Sequence, residues 1–323
     1  MIKMEPIFLT PYFRPKIWGG RKLKTIFNYN IPDGKVGEAW VISGYKEDAS
    51  TVINGQFKGQ SLRQVYQENP TLFGNPESKE FPLLVKFLDA NDNLSVQVHP
   101  NDEYARKVEN DSGKTESWYV LQADPGSYLI YGHTAKTRAE LAEMIEKGEW
   151  DKLLRKVPVK TGDFFYVPSG TIHALTKGIL VIETQQSSDV TYRLYDYDRV
   201  DQKTGKKREL HTQKSIAVTQ VPHVDPKLDI TIDHVQDATI KTLVAPPVSP
   251  HFYLWQIDLA GKWHTGLNSH PYLLVTIIKG TGTLQIENKS YDLSIGTNLI
   301  IPNNIKKFTF AGNMKLVISA PNN

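Results

Sequence analysis

The 323-residue sequence contains no cysteine, which excludes disulfide bonds and thiolate metal sites. A metal ion could be bound only by histidine, carboxylate or amide side chains. An excess of charge of one sign is also lacking, because 38 lysines and arginines nearly balance 35 aspartates and glutamates. With a net charge of +3 and no basic block, we expect neither nucleic acid nor a membrane surface to be a partner.

Long hydrophobic runs are lacking as well. No run approaches the roughly 18 apolar residues of a membrane-spanning helix, and the N-terminal stretch MIKMEPIFLTPYF has no continuous apolar core of the kind found in signal peptides. We therefore expect a cytoplasmic protein. The hydrophobic content of 40% is sufficient for packed cores, and the length suggests about two domains.

Short β-type segments dominate what is present. Runs such as AWVIS, PLLVKFLDA, DFFYVP and ILVIETQQ lie between Gly, Pro, Asn and Asp residues, which is typical of strands in sandwiches and barrels. Two stretches instead carry the capping-box pattern of a helix start, SLRQ at residues 61–64 and TRAE at residues 137–140. Leu141, Met144 and Ile145 follow the second at helical spacing. The patterns predict a mainly β fold with a small helical segment near residues 135–156.

A glycine–proline spacing occurs twice in the chain. The first copy, in GDFFYVPSGTIHAL, consists of Gly162, Pro168, Gly170 and His173. The second copy has the same five-residue gap between glycine and proline, and its corresponding residues are Gly296, Pro302, Asn304 and Lys307. A lysine ammonium has no lone pair to give a metal ion, so only the copy that ends on a histidine offers a ligand. We expect two related β-units, of which one binds a metal.

Further candidate ligands lie upstream of His173. Gln97 and His99, in LSVQVHPND, are separated by one residue, and side chains at this spacing point to the same face of a strand. Glu116 follows at the start of the next β-type run. One amide oxygen, two imidazoles and one carboxylate are all acceptable ligands of zinc.

The ordinary alternative is that these histidines only pack in the core or lie on the surface. A lone histidine is more often of this kind than a ligand, and a Q-x-H pair alone is weak. We expect most of the other seven histidines to be ordinary: His133, His211, His223, His234, His251, His264 and His270.

The combination of spacings carries a family resemblance. The first glycine–proline–histidine copy is similar to the second motif of the cupin superfamily, and the Q-x-H pair followed by Glu116 resembles a variant of its first motif. The segments LSVQVHP, GKTES and IETQQSSDVTYRLYDYDR, together with TPYFRPKIWGGRKL and GEAWVIS near the N-terminus, resemble type I phosphomannose isomerase in its short bacterial form. The resemblance covers most of residues 5–200. It implies two cupin-type jelly-roll barrels, a catalytic domain over residues 1–235 and a degenerate one over residues 236–323.

The resemblance also implies site residues. The zinc ligands, for one ion per chain, fall on Gln97, His99, Glu116 and His173. The catalytic residues fall on Arg193, Glu183 and Lys114, and the substrate contacts on Trp18, Lys86, Ser95 and Arg199. There are two departures at single positions: Arg199 stands where relatives often have lysine, and Leu175 stands where some have an aromatic residue.

The implied activity is a zinc-dependent aldose–ketose isomerisation between mannose 6-phosphate and fructose 6-phosphate. A proton must move between C2 and C1 through an enediolate, and zinc stabilises the developing negative charge. The base is left open between Glu183 and Lys114. A non-catalytic cupin that binds a sugar or sugar phosphate is the alternative, whereas the glutamine ligand disfavours an iron dioxygenase. The sequence does not distinguish a monomer from a homo-oligomer.

Overall fold

β-strands form most of the molecule. The computed structural model of the chain describes residues 3–201 and 205–322. In chain order the strands are β1 (Ile7–Thr10), β2 (Tyr12–Gly20), β3 (Val36–Ser43), β4 (Thr51–Val52), β5 (Leu83–Ala90), β6 (Val96–Val98), β7 (Glu116–Ala123), β8 (Tyr128–His133), β9 (Leu154–Pro158), β10 (Phe164–Val167), β11 (His173–Leu175), β12 (Ile179–Gln186), β13 (Tyr192–Tyr195), β14 (Val200–Asp201), β15 (Lys206–Lys207), β16 (Thr231–Val235), β17 (Ala238–Val244), β18 (Phe252–Gly266), β19 (Leu273–Ile286), β20 (Lys289–Ser294), β21 (Asn298–Ile301) and β22 (Lys307–Pro321). The prediction of a mainly β fold is confirmed.

The helices are few and short. They are α1 (Lys22–Thr25), α2 (Leu62–Glu68), α3 (Asp102–Val108), α4 (Arg138–Glu146), α5 (Trp150–Leu153) and α6 (Thr212–Val218), with 3-10 turns at Lys46–Asp48, Gly55–Phe57 and Pro70–Phe73. Both predicted capping boxes begin helices. The Ser61 hydroxyl accepts the Gln64 backbone N–H at 3.1 Å, and the Thr137 hydroxyl accepts that of Glu140 at 3.1 Å. Within the described residues, no helix is long and apolar enough to cross a membrane.

Three antiparallel sheets stack in layers. The five-stranded sheet has the order β13-β6-β11-β8-β9, and the six-stranded sheet has the order β10-β7-β12-β5-β2-β3. The nine-stranded sheet has the order β16-β17-β18-β22-β19-β21-β1-β4, with β20 on β19. The six-stranded sheet lies in the middle, because its residues belong to two cores: Leu88 and Val181 pack with Leu129 of the five-stranded sheet, and Phe87 packs with Leu254 of the nine-stranded sheet.

This central position explains the sequence of β5 and β12. All eight residues of each strand are buried, because both faces of their sheet are covered. Polar residues within these strands must therefore have partners inside the protein. The outer face of the five-stranded sheet is covered by the predicted helical segment, where Leu141 and Ile145 of α4 and Leu153 of α5 are buried.

The repeated glycine–proline spacing has the same local structure in both copies. Gly162 and Gly296 have φ of +92° and +85°, a left-handed conformation that favours glycine, and each precedes a strand that ends just before the proline. His173 and Lys307 are then the first residues of β11 and β22. The two copies therefore share a turn and the strand after it, but β10 and β11 belong to different sheets, whereas β21 and β22 belong to the same one.

Two closed and separate barrels are not confirmed. The sheets do not close on themselves, and they face one another as open layers. The N-terminal strand β1 pairs with β21 and β4 in the nine-stranded sheet, so that Ile7 lies opposite Ile300. The predicted boundary at residue 235 coincides with the end of β16, which pairs with β17.

Candidate active site

One wall of the candidate site is a row of residues across the five-stranded sheet. Gln97 of β6 lies directly opposite His173 of β11 on one side and opposite Arg193 of β13 on the other. Directly opposite residues of antiparallel strands point to the same face of the sheet. The register therefore brings together three residues that are distant in the sequence.

The facing wall is a second row, across the six-stranded sheet. Glu183 of β12 lies between Lys86 of β5 and Trp118 of β7, and Trp40 of β3 continues the row beyond Lys86. Glu116, the first residue of β7, lies two positions before Trp118 and so points to the same face. The carboxylates of Glu116 and Glu183 and the ammonium group of Lys86 thus lie in the interior between the two sheets.

His99, Glu116 and His173 form a buried cluster between these walls. Their ligand atoms lie within 4.8 Å of one another. The His173 Nε2 is 3.0 Å from Glu116 Oε1, and the His99 Nε2 is 3.4 Å from Glu116 Oε2. Each side chain is about 1% exposed. The described residues contain no other cluster of three such ligand side chains.

The hydrogen bonds of the two imidazoles orient them as ligands. The Nδ1 of His99 lies 2.8 Å from the Val190 carbonyl oxygen, and the Nδ1 of His173 lies 2.9 Å from that of Thr171. A carbonyl oxygen only accepts, so each Nδ1 donates, which leaves Nε2 as the ring atom that can bind a metal. Burial and the nearby Lys114 lower the pKa of His99 to about 3, which keeps this imidazole neutral.

The Glu116 carboxylate completes the donor set. Burial alone would raise its pKa, but Lys114 and the two histidines hold the pKa of Glu116 well below its usual range. Both of its oxygens are buried and accept no hydrogen bond from the residues that the structure describes. Its close contacts are the ion pair with Lys114 and the two imidazoles, so its oxygens still have room for a further positive partner. One carboxylate and two imidazoles fit a divalent metal such as zinc.

Gln97 and Lys114 lie beside this cluster. The Gln97 amide nitrogen is 3.3 Å from His173 Nε2, and rotation of the amide by 180° would place its oxygen there. The Lys114 Nζ is 3.1 Å from His99 Nε2 and 3.3 Å from Glu116 Oε2.

A cavity of about 270 Å³ opens next to the cluster. Seven of the predicted residues line it: Trp18, Lys86, Ser95, Gln97, Lys114, Glu183 and Arg193. Arg199 is not part of the lining; it pairs with Asp196 at 2.6 Å and donates to the Asn93 carbonyl oxygen. Further polar lining residues were not singled out from the sequence: Lys16, Glu38, Asp189, Thr191 and Arg208.

Glu183 is buried between two donors. Its Oε1 is 2.8 Å from the Lys86 Nζ, and its Oε2 accepts the Trp118 indole N–H at 2.7 Å. Burial, and then the neighbouring Glu116, raise the pKa of Glu183 above that of an ordinary glutamate. Burial alone would lower the pKa of Lys86, but Glu183 and Glu38 raise it, so the lysine remains charged.

Arg193 is exceptional among the cations of the lining. Its Nη1 donates to the Glu209 carbonyl oxygen at 2.8 Å, and its Nε is buried without a hydrogen-bond partner among the described residues. Burial and the nearby Arg208 lower the pKa of Arg193, and no carboxylate pairs with it in the described part of the chain. The guanidinium therefore has no ion-pair partner among the described residues of the cavity wall, although the nearby Asp196 and Glu209 favour its charged form.

The polar residues that sequence reasoning missed reach the cavity through distant contacts. Lys16 of β2 pairs with Glu38 of β3 at 2.9 Å, and the Trp40 indole N–H donates to Glu38 at 2.7 Å. The segment GEAWVIS, which contributes to the family resemblance, contains Glu38 and was the one sequence signal for it. Arg208 lies in the polar stretch KKREL, whose composition is typical of an exposed loop. No sequence pattern distinguishes Arg208 from its neighbours there.

Comparison with known proteins agrees with this geometry. The family model described as phosphomannose isomerase type I, catalytic domain, matches residues 7–135, and the model for the mannose-6-phosphate isomerase cupin domain matches residues 243–321. A mannose-6-phosphate isomerase of Streptococcus mutans is 47% identical over 320 residues, covering 98% of this chain and 99% of the relative. The chain belongs to the type I phosphomannose isomerase family.

Solved structures of similar proteins share this phosphomannose isomerase fold. The crystal structure of the mannose 6-phosphate isomerase from Bacillus subtilis is 44% identical, covers 97% of this chain and 99% of its own, and superposes with a TM-score of 0.93. A phosphomannose isomerase from Salmonella typhimurium shares the fold at 15% identity, with a TM-score of 0.79 over 98% of this chain and 100% of its own. The resemblance inferred from the sequence motifs, including the cupin part, is thus confirmed.

Proposed function

We propose that this phosphomannose isomerase family member interconverts mannose 6-phosphate and fructose 6-phosphate, with one Zn²⁺ bound by Gln97, His99, Glu116 and His173. The observation that carries the proposal is the convergence of two buried imidazoles and a buried carboxylate beside a polar cavity. The relatives named mannose-6-phosphate isomerase, similar over nearly the whole chain, support this substrate pair.

The reaction moves a proton between C2 and C1 of the sugar through an enediolate. When bound, the metal supplies Lewis-acid stabilisation of the negative charge that develops on the sugar oxygens. We assign the role of base to the Glu183 carboxylate. It lines the cavity, and its raised pKa brings it closer to the working pH of a general base. Lys86 forms an ion pair with one of its oxygens, and the Trp118 indole donates a hydrogen bond to the other, which orients the carboxylate.

Lys114 is the competing base. Its Nζ lies against His99 and Glu116, so we assign it to holding the ligand carboxylate and the sugar oxygens near the metal. Arg193, whose guanidinium has no ion-pair partner among the described residues, lies opposite Gln97 and stabilises the enediolate. Lys86, Ser95 and Trp18 contribute substrate contacts along the lining.

We also propose a division of roles between the two units. All of the assigned residues precede residue 235, and the C-terminal unit over residues 236–323 has no metal role. Lys307 begins β22 at the position where His173 begins β11. The core of this unit consists of apolar side chains such as Val275, Ile277 and Leu299, all fully buried. Its role is to support the catalytic unit.

A coupled assay of fructose 6-phosphate formation from mannose 6-phosphate tests the function. We expect a chelator to abolish turnover and added Zn²⁺ to restore it. Elemental analysis of His173→Ala should find near-zero zinc, whereas His234→Ala, on the exposed strand β16, should keep one equivalent. Full turnover by a protein shown to be metal-free would disprove the metal assignment. Absence of turnover by the zinc-loaded protein would disprove the activity.

A further inference from the structure

We propose that Arg208 binds the phosphate group of the substrate and thereby selects phosphorylated sugars over free ones. This inference rests on the proposed function, and it places the phosphate contact on Arg208 rather than on Arg199, which the sequence resemblance implied as a substrate contact. The structure places Arg208 on the cavity lining and Arg199 outside it. Arg199 instead donates to the Asn93 carbonyl oxygen and lies over the Tyr197 ring, with its guanidinium carbon 5.2 Å from the ring centroid.

The strand register places Arg208 at the end of the cavity away from the metal cluster. Arg193 lies opposite Gln97, and Tyr195 lies opposite Val96, so β13 runs from the candidate ligand Gln97 toward Ser95. Asp196 follows directly after β13, and Arg208 is bound to Asp196. A hexose 6-phosphate carries its phosphate at the opposite end of the carbon chain from C1 and C2. A substrate whose C1 and C2 lie at the metal would therefore direct its phosphate toward Ser95 and Arg208.

The hydrogen bonds of Arg208 leave its guanidinium well positioned for an anion. Its Nε donates to Asp196 Oδ2 at 2.8 Å and its Nη2 donates to Asp196 Oδ1 at 2.5 Å, a two-point contact that fixes the plane of the group. Its Nη1 donates to no partner within the described residues. A planar guanidinium held on one edge by a carboxylate presents its remaining N–H groups in a fixed direction.

The local charge also favours an anion. Asp196 is shared by Arg208 and Arg199, and Arg199 also lies 3.8 Å from Asp92. Because Arg208 shares its carboxylate partner with a second cation, Asp196 neutralises the Arg208 charge only in part. A phosphate at neutral pH carries a charge of about −1.5 to −2 and completes this neutralisation.

Arg208→Gln tests the assignment with the full-length enzyme. We expect KM for mannose 6-phosphate and the inhibition constant of inorganic phosphate to rise about tenfold or more, because a hydrogen bond between charged groups is lost. We expect kcat to stay within about threefold of the wild-type value, because the contact is present in both ground and transition states. Raising the ionic strength should reduce the difference in KM.

Arg155→Gln is the matched control. Arg155 also forms a two-point contact with an aspartate, at 2.8 and 2.9 Å from Asp225, but it does not line the cavity. The KM of Arg155→Gln for mannose 6-phosphate should equal that of the wild type. If Arg208→Gln does not fold, Arg208→Lys replaces it. The lysine keeps the charge but loses the planar fork, and we expect an increase of about threefold in KM.

Three results would overturn the assignment to Arg208. The first is an unchanged KM in the Arg208 variants, and the second is a fall in kcat with KM unchanged. The third is an increase in KM in Arg199→Gln but not in Arg208→Gln. Calorimetric titration with mannose 6-phosphate separates this inference from the isomerase proposal. Binding that depends on Arg208 without turnover would disprove the isomerase activity and leave the phosphate contact standing.

Discussion

At the scale of single residues, the charge of Arg193 has the clearest consequence. Arg193 is half-buried, its Nε is buried without a hydrogen-bond partner, and no carboxylate pairs with it among the described residues, so its partial desolvation is costly unless a ligand uses the charge. Its position opposite Gln97 places it at the end of the cavity that holds the His99–Glu116–His173 cluster.

Arg193→Ala should therefore lower kcat while zinc content stays at one equivalent. Loss of one electrostatic donor to an oxyanion costs about 10²–10³ in kcat. Steady-state kinetics together with elemental analysis measure both quantities. An increase in KM alone would show instead that Arg193 binds ground and transition states equally. Arg63→Ala, at an exposed ion pair with Glu80, is the control and should change neither.

The sequence predicted the cluster of His99, Glu116 and His173 better than it predicted the cavity. These three residues have recognisable spacings because each lies at a fixed position in or next to a strand. Lys16 and Arg208 line the cavity through tertiary contacts that no local pattern records. Arg199 and Arg208 are similar basic residues in the sequence, and only the tertiary contacts of Asp196 distinguish their positions.

At the scale of secondary-structure elements, the cap of α4 makes a local contribution to stability. The Thr137 hydroxyl satisfies the Glu140 N–H at the first turn, and the helix then buries Leu141 and Ile145 against the five-stranded sheet. An unpaired N–H at a helix start weakens that turn.

Thr137→Ala should lower the free energy of unfolding by about 1 kcal/mol, which corresponds to a fall of about 1–3 °C in Tm. Isomerase kinetics should be unchanged, because neither Thr137 nor α4 lines the cavity. Thr137→Ser keeps the hydroxyl and should keep the stability. Thermal denaturation followed by circular dichroism measures this, and equal losses in both variants would show that the cap is not the cause.

The starts of α2 and α4 were predictable because a capping box is complete within four residues. The layering of the sheets was not, because it depends on pairings between distant segments. The eight buried residues of β5 read as one strand in the sequence, but their pattern does not say which sheets cover the two faces.

At the scale of the whole molecule, one buried cluster contains residues of both units. Ile7 from the N-terminus, Phe87 from the six-stranded sheet and Leu254 from the nine-stranded sheet belong to the same buried cluster. A division near residue 235, as the sequence suggested, cuts across this cluster. The repeated glycine–proline spacing predicted two β-units. Neither copy of that spacing indicates that β1 pairs with β21.

We therefore expect a single cooperative unfolding transition for the full chain. Differential scanning calorimetry should give a calorimetric enthalpy close to the van't Hoff enthalpy. Phe252→Ala, at a fully buried position of this cluster, should lower the free energy of unfolding by about 3–5 kcal/mol and shift the single transition as a whole. Ile232→Ala, at an exposed position of β16, should change the free energy of unfolding by less than about 0.5 kcal/mol. Two resolved transitions, with only one shifted by Phe252→Ala, would contradict the shared core.

The pairing of β1 with β21 also has a consequence for synthesis on the ribosome. β1 is translated early, but Ile300, the partner of Ile7, is added only near the end. At about 5–20 residues per second, the early strand waits roughly 15–60 s for its neighbour. Its apolar residues remain without their native sheet during that time and are available to chaperones. A nascent chain arrested before β21 should therefore retain chaperone contacts at Ile7–Thr10 that the released protein has lost.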